Sequence, residues 1–309
     1  MKLPETMRTE LLKPVKERAW RLPAIANFIL GGAGAGLYIL DSLRLLFSAE
    51  SAPVMHSGPI GLASAVMVGL GFFAVSLESG RPWRAMYLLS NLRGSWMSVE
   101  ILSGALFMAA AMLDYVFSLP ALRVAAVCAA LELIISHGFI LYRARAMTAW
   151  NVPAIPFLFF SSALVLGGGV LLALGGLQPS LNDDNFLRVV LVCLIADIVV
   201  WGLYVRLPRD SHFRKATAYL RRPFAMFSVT GLGHLLPLIL LAWLALTSAE
   251  PDDAGIRHLV VALTGFCMLA GGVAQKIVVI LGANFNRGVM MGEARVPPLI
   301  CERSHPGKS

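Results

Sequence analysis

Eight apolar runs constrain this chain more than any other feature. They fall near 22–46, 59–77, 99–119, 121–142, 152–177, 186–205, 223–247 and 256–282. A bilayer's hydrocarbon core is about 30 Å thick, and a helix needs about 20 apolar residues to cross it. In lipid only helices and closed barrels satisfy every backbone N–H and C=O. Continuous runs of this length, without the alternation of a barrel strand, are helices. The expected fold is therefore all-α: a polytopic membrane protein, a bundle of eight transmembrane helices over 22–282. An amphipathic segment, 1–21, precedes it and a tail, 283–309, follows. Little more than Pro120 separates the third and fourth runs, so they should form a tight hairpin. The first run does not read as a cleavable signal, because 21 largely polar residues precede it and no small-residue cleavage motif ends it.

Composition agrees. Hydrophobic residues make up 57% and charged residues 14%, against about 45–50% and about 25% in soluble domains. That leaves too little polar surface to cover a water-soluble globule, and it excludes soluble-enzyme, disordered, collagen-like and disulfide-scaffold readings. The net charge of +8 would suggest nucleic acid in a soluble protein. Here the charges sit between the apolar runs, so juxtamembrane loops account for them and no nucleic-acid partner is expected.

The loops fix an expected orientation. With eight spans both termini share one side. That side carries 21 Lys and Arg, among them Arg81, Arg84 and Arg93 of the second–third loop. The opposite side has four, Arg44, Arg123, Arg188 and Arg257, and Lys276 lies within the last span. The positive-inside rule makes the basic side, and both termini, cytoplasmic. Trp20, Trp83, Trp96, Trp150 and Trp201 fall near that face and read as interfacial anchors. The four cysteines, Cys128, Cys193, Cys267 and Cys301, form no CxxC pair. No metal site, iron–sulfur cluster or thiol redox motif is expected in this chain, so electrons, if handled, belong to a partner or a bound ligand.

The stretch 78–100 is the richest in chemistry. It runs Glu78-Ser-Gly-Arg81-Pro82-Trp83-Arg84, then Asn91-Leu-Arg93-Gly-Ser95-Trp96-Met97-Ser98-Val-Glu100. Glu78 ends the second span and Glu100 opens the third, with Ser95 or Ser98 as N-cap. Two carboxylates and three arginines at one membrane surface can hold a quinone head group and pass it protons. A charged loop with ion pairs to lipid is the plainer reading.

The pattern G-R-P-x-R-A … N-x-R-x-S-W-x-S-x-E-I-L resembles the second–third helix connection of the DMSO reductase anchor subunit (DmsC) family, within the wider NrfD-like group. Three further stretches resemble that family in the same order: the glycine-rich run from Asn27 to Tyr38, the Trp150-Asn-Val-Pro153 motif opening the fifth helix, and Asn284-Phe-Asn286-Arg-Gly288 closing the eighth. The resemblance implies an eight-helix, non-catalytic membrane subunit of a three-subunit oxidoreductase. Its implied partners are a ferredoxin-like iron–sulfur subunit and a molybdopterin catalytic subunit in the cytoplasmic membrane. Its implied ligand is quinone or quinol, with no haem, metal or cluster in the anchor itself. The family's acidic residue at the start of the third helix matches Glu100. The family's quinol-site histidine falls at Glu78, a carboxylate here, whose pKa would need raising to handle a proton near neutrality. The Glu-x-Gly-Arg-Pro-Trp form resembles the sulfite-oxidising (SoeC-like) and aryl-acyl-CoA-oxidising branches. A quinone site is thus expected from Asn27, Glu78, Arg81, Trp96 and Glu100, with catalytic partners on the cytoplasmic face.

Other residues carry weaker signals. The Gly31–Gly36 run and Gly167–Gly169 read as close helix packing. Glu132 and Asp197, near mid-span, are a candidate proton path and should face the bundle interior or be neutral. His137 and His234 could in principle ligate a b-type haem. Asp41 and Asp114 read as solvated or ion-paired. A secondary transporter, with a midplane site at broken helices, is the rival from another class.

Overall fold

The computed structural model describes residues 20–47, 58–78, 87, 92–176, 184–206, 211–247 and 254–283. Six helices are single spans: α1 (Leu22–Phe47), α2 (Gly58–Glu78), α3 (Trp96–Phe117), α4 (Pro120–Tyr142), α5 (Ala154–Gly175) and α6 (Asp184–Arg206). A short helix, α7 (Ser211–Ala216), leads to the seventh span. That span joins α8 (Pro223–Met226), a π-helical segment (Phe227–Leu235) and α9 (Leu236–Leu246). The eighth is α10 (Ala254–Ile277), which closes in a π-helical turn, Val278–Gly282. Eight helices are long and apolar enough to cross a membrane, and no strand occurs among the described residues. The chain is a multi-pass helical membrane protein.

The hairpin between α3 and α4 forms where expected. Ser118 adopts a left-handed conformation, φ 53°, and its N–H bonds the Asp114 carbonyl. Pro120 then opens α4, where a missing N–H costs nothing. Ser95, rather than Ser98, is the N-cap of α3, and its hydroxyl makes no capping bond.

The spans form two four-helix rings. In the first, α1 packs on α2, α2 on α3, α3 on α4 and α4 on α1. In the second, α5 packs on α6, α6 on α9, α9 on α10 and α10 on α5. The rings share the α1–α5 and α4–α5 contacts. Glycine makes the α1–α5 seam possible: a methyl on Gly36 would collide with the backbone of Ala163, and one on Gly167 with the backbone of Gly36. The glycine runs therefore serve close packing, as expected. Gly233 and Gly271 do the same between the seventh and eighth spans.

Two aromatic expectations need correction. Trp150 and Trp201 are not interfacial anchors; both are buried in the core. Trp150 donates to the Val279 carbonyl in the terminal π-helical turn, 2.9 Å away. Trp201 stacks on His234 and donates to Thr230 Oγ1. Each buried indole N–H thus has its acceptor. Trp20 and Trp96 are half-buried at the basic end, and Trp83 lies outside the described residues.

Candidate functional site

Each ring encloses one carboxylate–histidine pair. In the first ring all four helices contribute. The Asn27 amide, from α1, donates to Glu100 Oε1, from α3, at 2.6 Å. His137 Nε2, from α4, lies 3.1 Å from the same oxygen, close enough for charge pairing but without hydrogen-bond alignment. From α2, Gly71 presents bare backbone to Asn27, where a methyl would press within 3.1 Å of its Oδ1. Gly31 does the same for the His137 ring. All three polar side chains are buried. They lie one to two turns, roughly 6–8 Å, inside the basic end of the bundle.

Aromatic rings wall this cluster. Phe28 meets the His137 ring edge to face at 5.0 Å and stacks on Trp20. Trp96 stacks on Phe139, centroids 4.5 Å apart. One turn further out, a cavity of about 390 Å³ opens between Trp20, Gly94–Met97, Ile140 and Arg143–Arg145. A flat, polar-edged ligand entering there would meet the indoles of Trp20 and Trp96 and two arginines, with Glu100 one helical turn from Trp96.

In the second ring the centre is Asp197 of α6. Ser161 of α5 donates to its Oδ1 at 2.6 Å, and Gln275 of α10 to its Oδ2 at 3.3 Å. His234, in the π-helical segment, has Nδ1 2.6 Å from the Val229 carbonyl and Nε2 2.9 Å from Asp197 Oδ2. A carbonyl only accepts, so Nδ1 carries a proton. With that proton on Nδ1, the 2.9 Å contact is a hydrogen bond when a second proton lies between Nε2 and Oδ2. The Lys276 ammonium, fully enclosed, sits over the Phe159 ring at 3.7 Å.

The opposite end carries a third buried group. Asp114 Oδ2 accepts from the Tyr38 hydroxyl at 2.8 Å and pairs with Arg123 at 3.3 Å. Asp41 pairs with Arg44 at 2.8 Å. Both aspartates are ion-paired, and both are buried rather than solvated.

The expected site residues separate on this scaffold. Asn27 and Glu100 come together, and Trp96 lies one turn above Glu100. Glu78 is exposed at the end of α2, two turns, or about 10 Å, beyond the Gly71 contact with Asn27. Arg81 lies outside the described residues, as do the segment 1–19, the Asn284–Gly288 motif and Cys301. Asp197 faces the bundle interior, but Glu132 is exposed on the outer face of α4, so the structure does not bring these two together. His137 and His234 each contact a different carboxylate. Among the described residues no three His, Cys, Asp or Glu side chains gather as a metal site. His137 is the residue that sequence reasoning missed as a partner of Glu100. The available signal was its depth: it lies about as far from the basic end of α4 as Asn27 does from that of α1.

No curated protein is matched by the chain. The family model of the DMSO reductase anchor subunit (DmsC) matches residues 17–276, a stretch that holds all eight membrane spans but the last turns of the eighth. The chain belongs to that family of anchor subunits.

Proposed function

We propose that this chain anchors a molybdopterin and iron–sulfur oxidoreductase to the membrane and carries its quinone site. The Asn27–Glu100–His137 cluster is the proton-handling part of that site. The observation that carries this reading is a buried carboxylate bonded by an amide and 3.1 Å from a histidine, about one turn from a cavity lined by Trp20 and Trp96. Reduction of a quinone takes two electrons and two protons. The electrons come from the iron–sulfur partner, and this chain's residues supply the protons. Glu100, fixed by the Asn27 amide, gives a proton towards a quinone oxygen, and His137 at 3.1 Å is placed to replace it. His137 thus supplies, from α4, the imidazole that the family carries where Glu78 stands here.

The catalytic partners sit on the arginine-rich, cytoplasmic face of the inner membrane. The charge bias supports that side, and a close approach of the nearest cluster to the quinone requires partner and site to share it. The preferred substrate is sulfite: oxidation with water gives sulfate, two protons and two electrons, which balances quinone reduction to quinol. The Glu78-x-Gly80-Arg81-Pro82-Trp83 form supports that branch; an aryl-acyl-CoA is next. The same site would serve a reductase complex that oxidises quinol, with electrons and protons reversed. Quinone turnover by membranes carrying Glu100→Gln tests the site. Unchanged turnover with the complex assembled would remove it. Protease treatment of right-side-out spheroplasts tests the side, and cleavage of the catalytic subunit without lysis would reverse the orientation.

We also infer that the Asp197–His234 pair stores a proton. Its support is the hydrogen-bond arithmetic at His234. Asp197→Asn should leave quinone turnover in detergent intact while altering proton uptake in sealed vesicles. Equal uptake by both proteins would leave the pair a purely structural one.

A further inference from the structure

A lateral groove of about 570 Å³ runs along the outside of the bundle between α1, α4, α5 and α6. Pro120 and Leu46 form its rim at the end opposite the Asn27–Glu100–His137 cluster, and Leu131, Phe160 and Cys193 lie at its deep end. Along α4 from Pro120 to Leu131 that is about 16 Å, roughly half the hydrocarbon core, or one leaflet. The walls are apolar, mostly aliphatic with Phe160 and two cysteines, except near the rim. There Arg123 and Ser42 line the groove, 3% and 5% exposed.

Both have unmet hydrogen-bonding capacity. Arg123 spends Nε and Nη2 on Asp114, and its Nη1 has no partner. The Ser42 hydroxyl has none either, although a helical serine ordinarily bonds back to its own backbone. Leaving a buried donor without an acceptor forfeits its hydration with nothing in return, so two beside one groove point to an acceptor that belongs there. Arg123 is already charge-paired, so the acceptor need only be an oxygen.

We propose that this groove holds a glycerophospholipid of the surrounding membrane. One acyl chain lies along the aliphatic walls, and a phosphate or ester oxygen accepts from Arg123 Nη1 and Ser42 Oγ. A leaflet-long aliphatic slot with donors at the head-group level fits an acyl lipid. The single aromatic in its wall, Phe160, makes it a poor match for a quinone ring. The site is independent of the quinone reading.

The test is native mass spectrometry of the chain purified in mild detergent with the subunits that accompany it, followed by titration of the delipidated protein with dioleoyl phosphatidylglycerol. The wild type should retain one phospholipid. Ser42→Ala and Arg123→Lys, the latter keeping the Asp114 charge pair, should each weaken binding about tenfold, the loss of one hydrogen bond to a charged or buried donor. Val127→Trp should fill the groove and abolish retention. Circular dichroism melts certify each variant as folded. Retention unaffected by Ser42→Ala and Val127→Trp in folded protein would overturn the proposal. So would a quinone recovered in place of the phospholipid, or full displacement of the lipid by inorganic phosphate.

Discussion

Phe28 and Phe159 meet edge to face with ring centroids 5.6 Å apart, and each borders one of the two buried charge clusters. His137 meets Phe28 edge to face, and the Lys276 ammonium lies over Phe159. The two touching rings thus join the surroundings of the Glu100 cluster to those of the Lys276–Asp197 group. Phe28→Ala should let the clusters interact. The expected outcome is a shift in the pH profile of quinone turnover, with a stability loss of about 3–5 kcal/mol for the cavity. Phe28→Leu, which keeps most of the volume, should retain the wild-type profile.

Asn27→Ala removes a donor to a buried carboxylate. Hydrogen bonds to charged groups contribute about 1.5–3 kcal/mol, so a comparable loss in thermal or denaturant stability is expected. Quinone turnover should fall roughly tenfold or more. Asn27→Gln, reaching from the same position, should be milder only if the 2.6 Å geometry tolerates a longer chain. Parallel melts and turnover assays would show it.

How much of this was legible beforehand depends on the range of the signal. All eight spans lie within three residues of their expected ends, because hydrophobic length is a local property of the sequence. The Asn27–Glu100 pairing was expected only as shared location at one end of the bundle. That His137 joins it was not, because helix adjacency decides which faces meet, and α4 could have turned another face inward. Glu132 shows the converse. Its depth resembles that of Asp197, but its angular position puts it on the outer face. Trp150 and Trp201 were misplaced for the same reason: nearness to a span's end says nothing about which way the ring turns.

The glycine seam yields a paired substitution test. Gly36→Val drives a branched side chain into the Ala163 carbonyl. The protein should fail to accumulate in membranes, as judged by immunoblot of the membrane fraction. Gly202→Ala, with nothing within 4 Å of the added methyl, should accumulate normally. A better helix former there contributes up to about 1 kcal/mol.

Asp197→Leu leaves His234, Ser161 and Gln275 without their common acceptor. Breaking a buried pair from one side costs about 3–5 kcal/mol, so this variant should unfold at markedly lower temperature. Asp197→Asn keeps an acceptor for Ser161 and should lose much less. Glu132→Gln, on the outer face, should leave both the melting temperature and turnover near wild type. Equal destabilisation by Asp197→Leu and Glu132→Gln would contradict the placement of these two side chains.

The α1–α5 seam also bears on how the chain is made. α1 emerges first during synthesis, yet the partner whose backbone its glycine face requires is the fifth span, more than a hundred residues later. Until α5 arrives, the first four helices have their own ring contacts, but Gly36 faces lipid instead of Ala163. The Asn27 end of α1 can find Glu100 and His137 early, while its far half waits. The α1–α5 seam can therefore close only after α5 has been inserted. A chain ending at Tyr142 would hold all four helices of the first ring, with the glycine face of α1 still open.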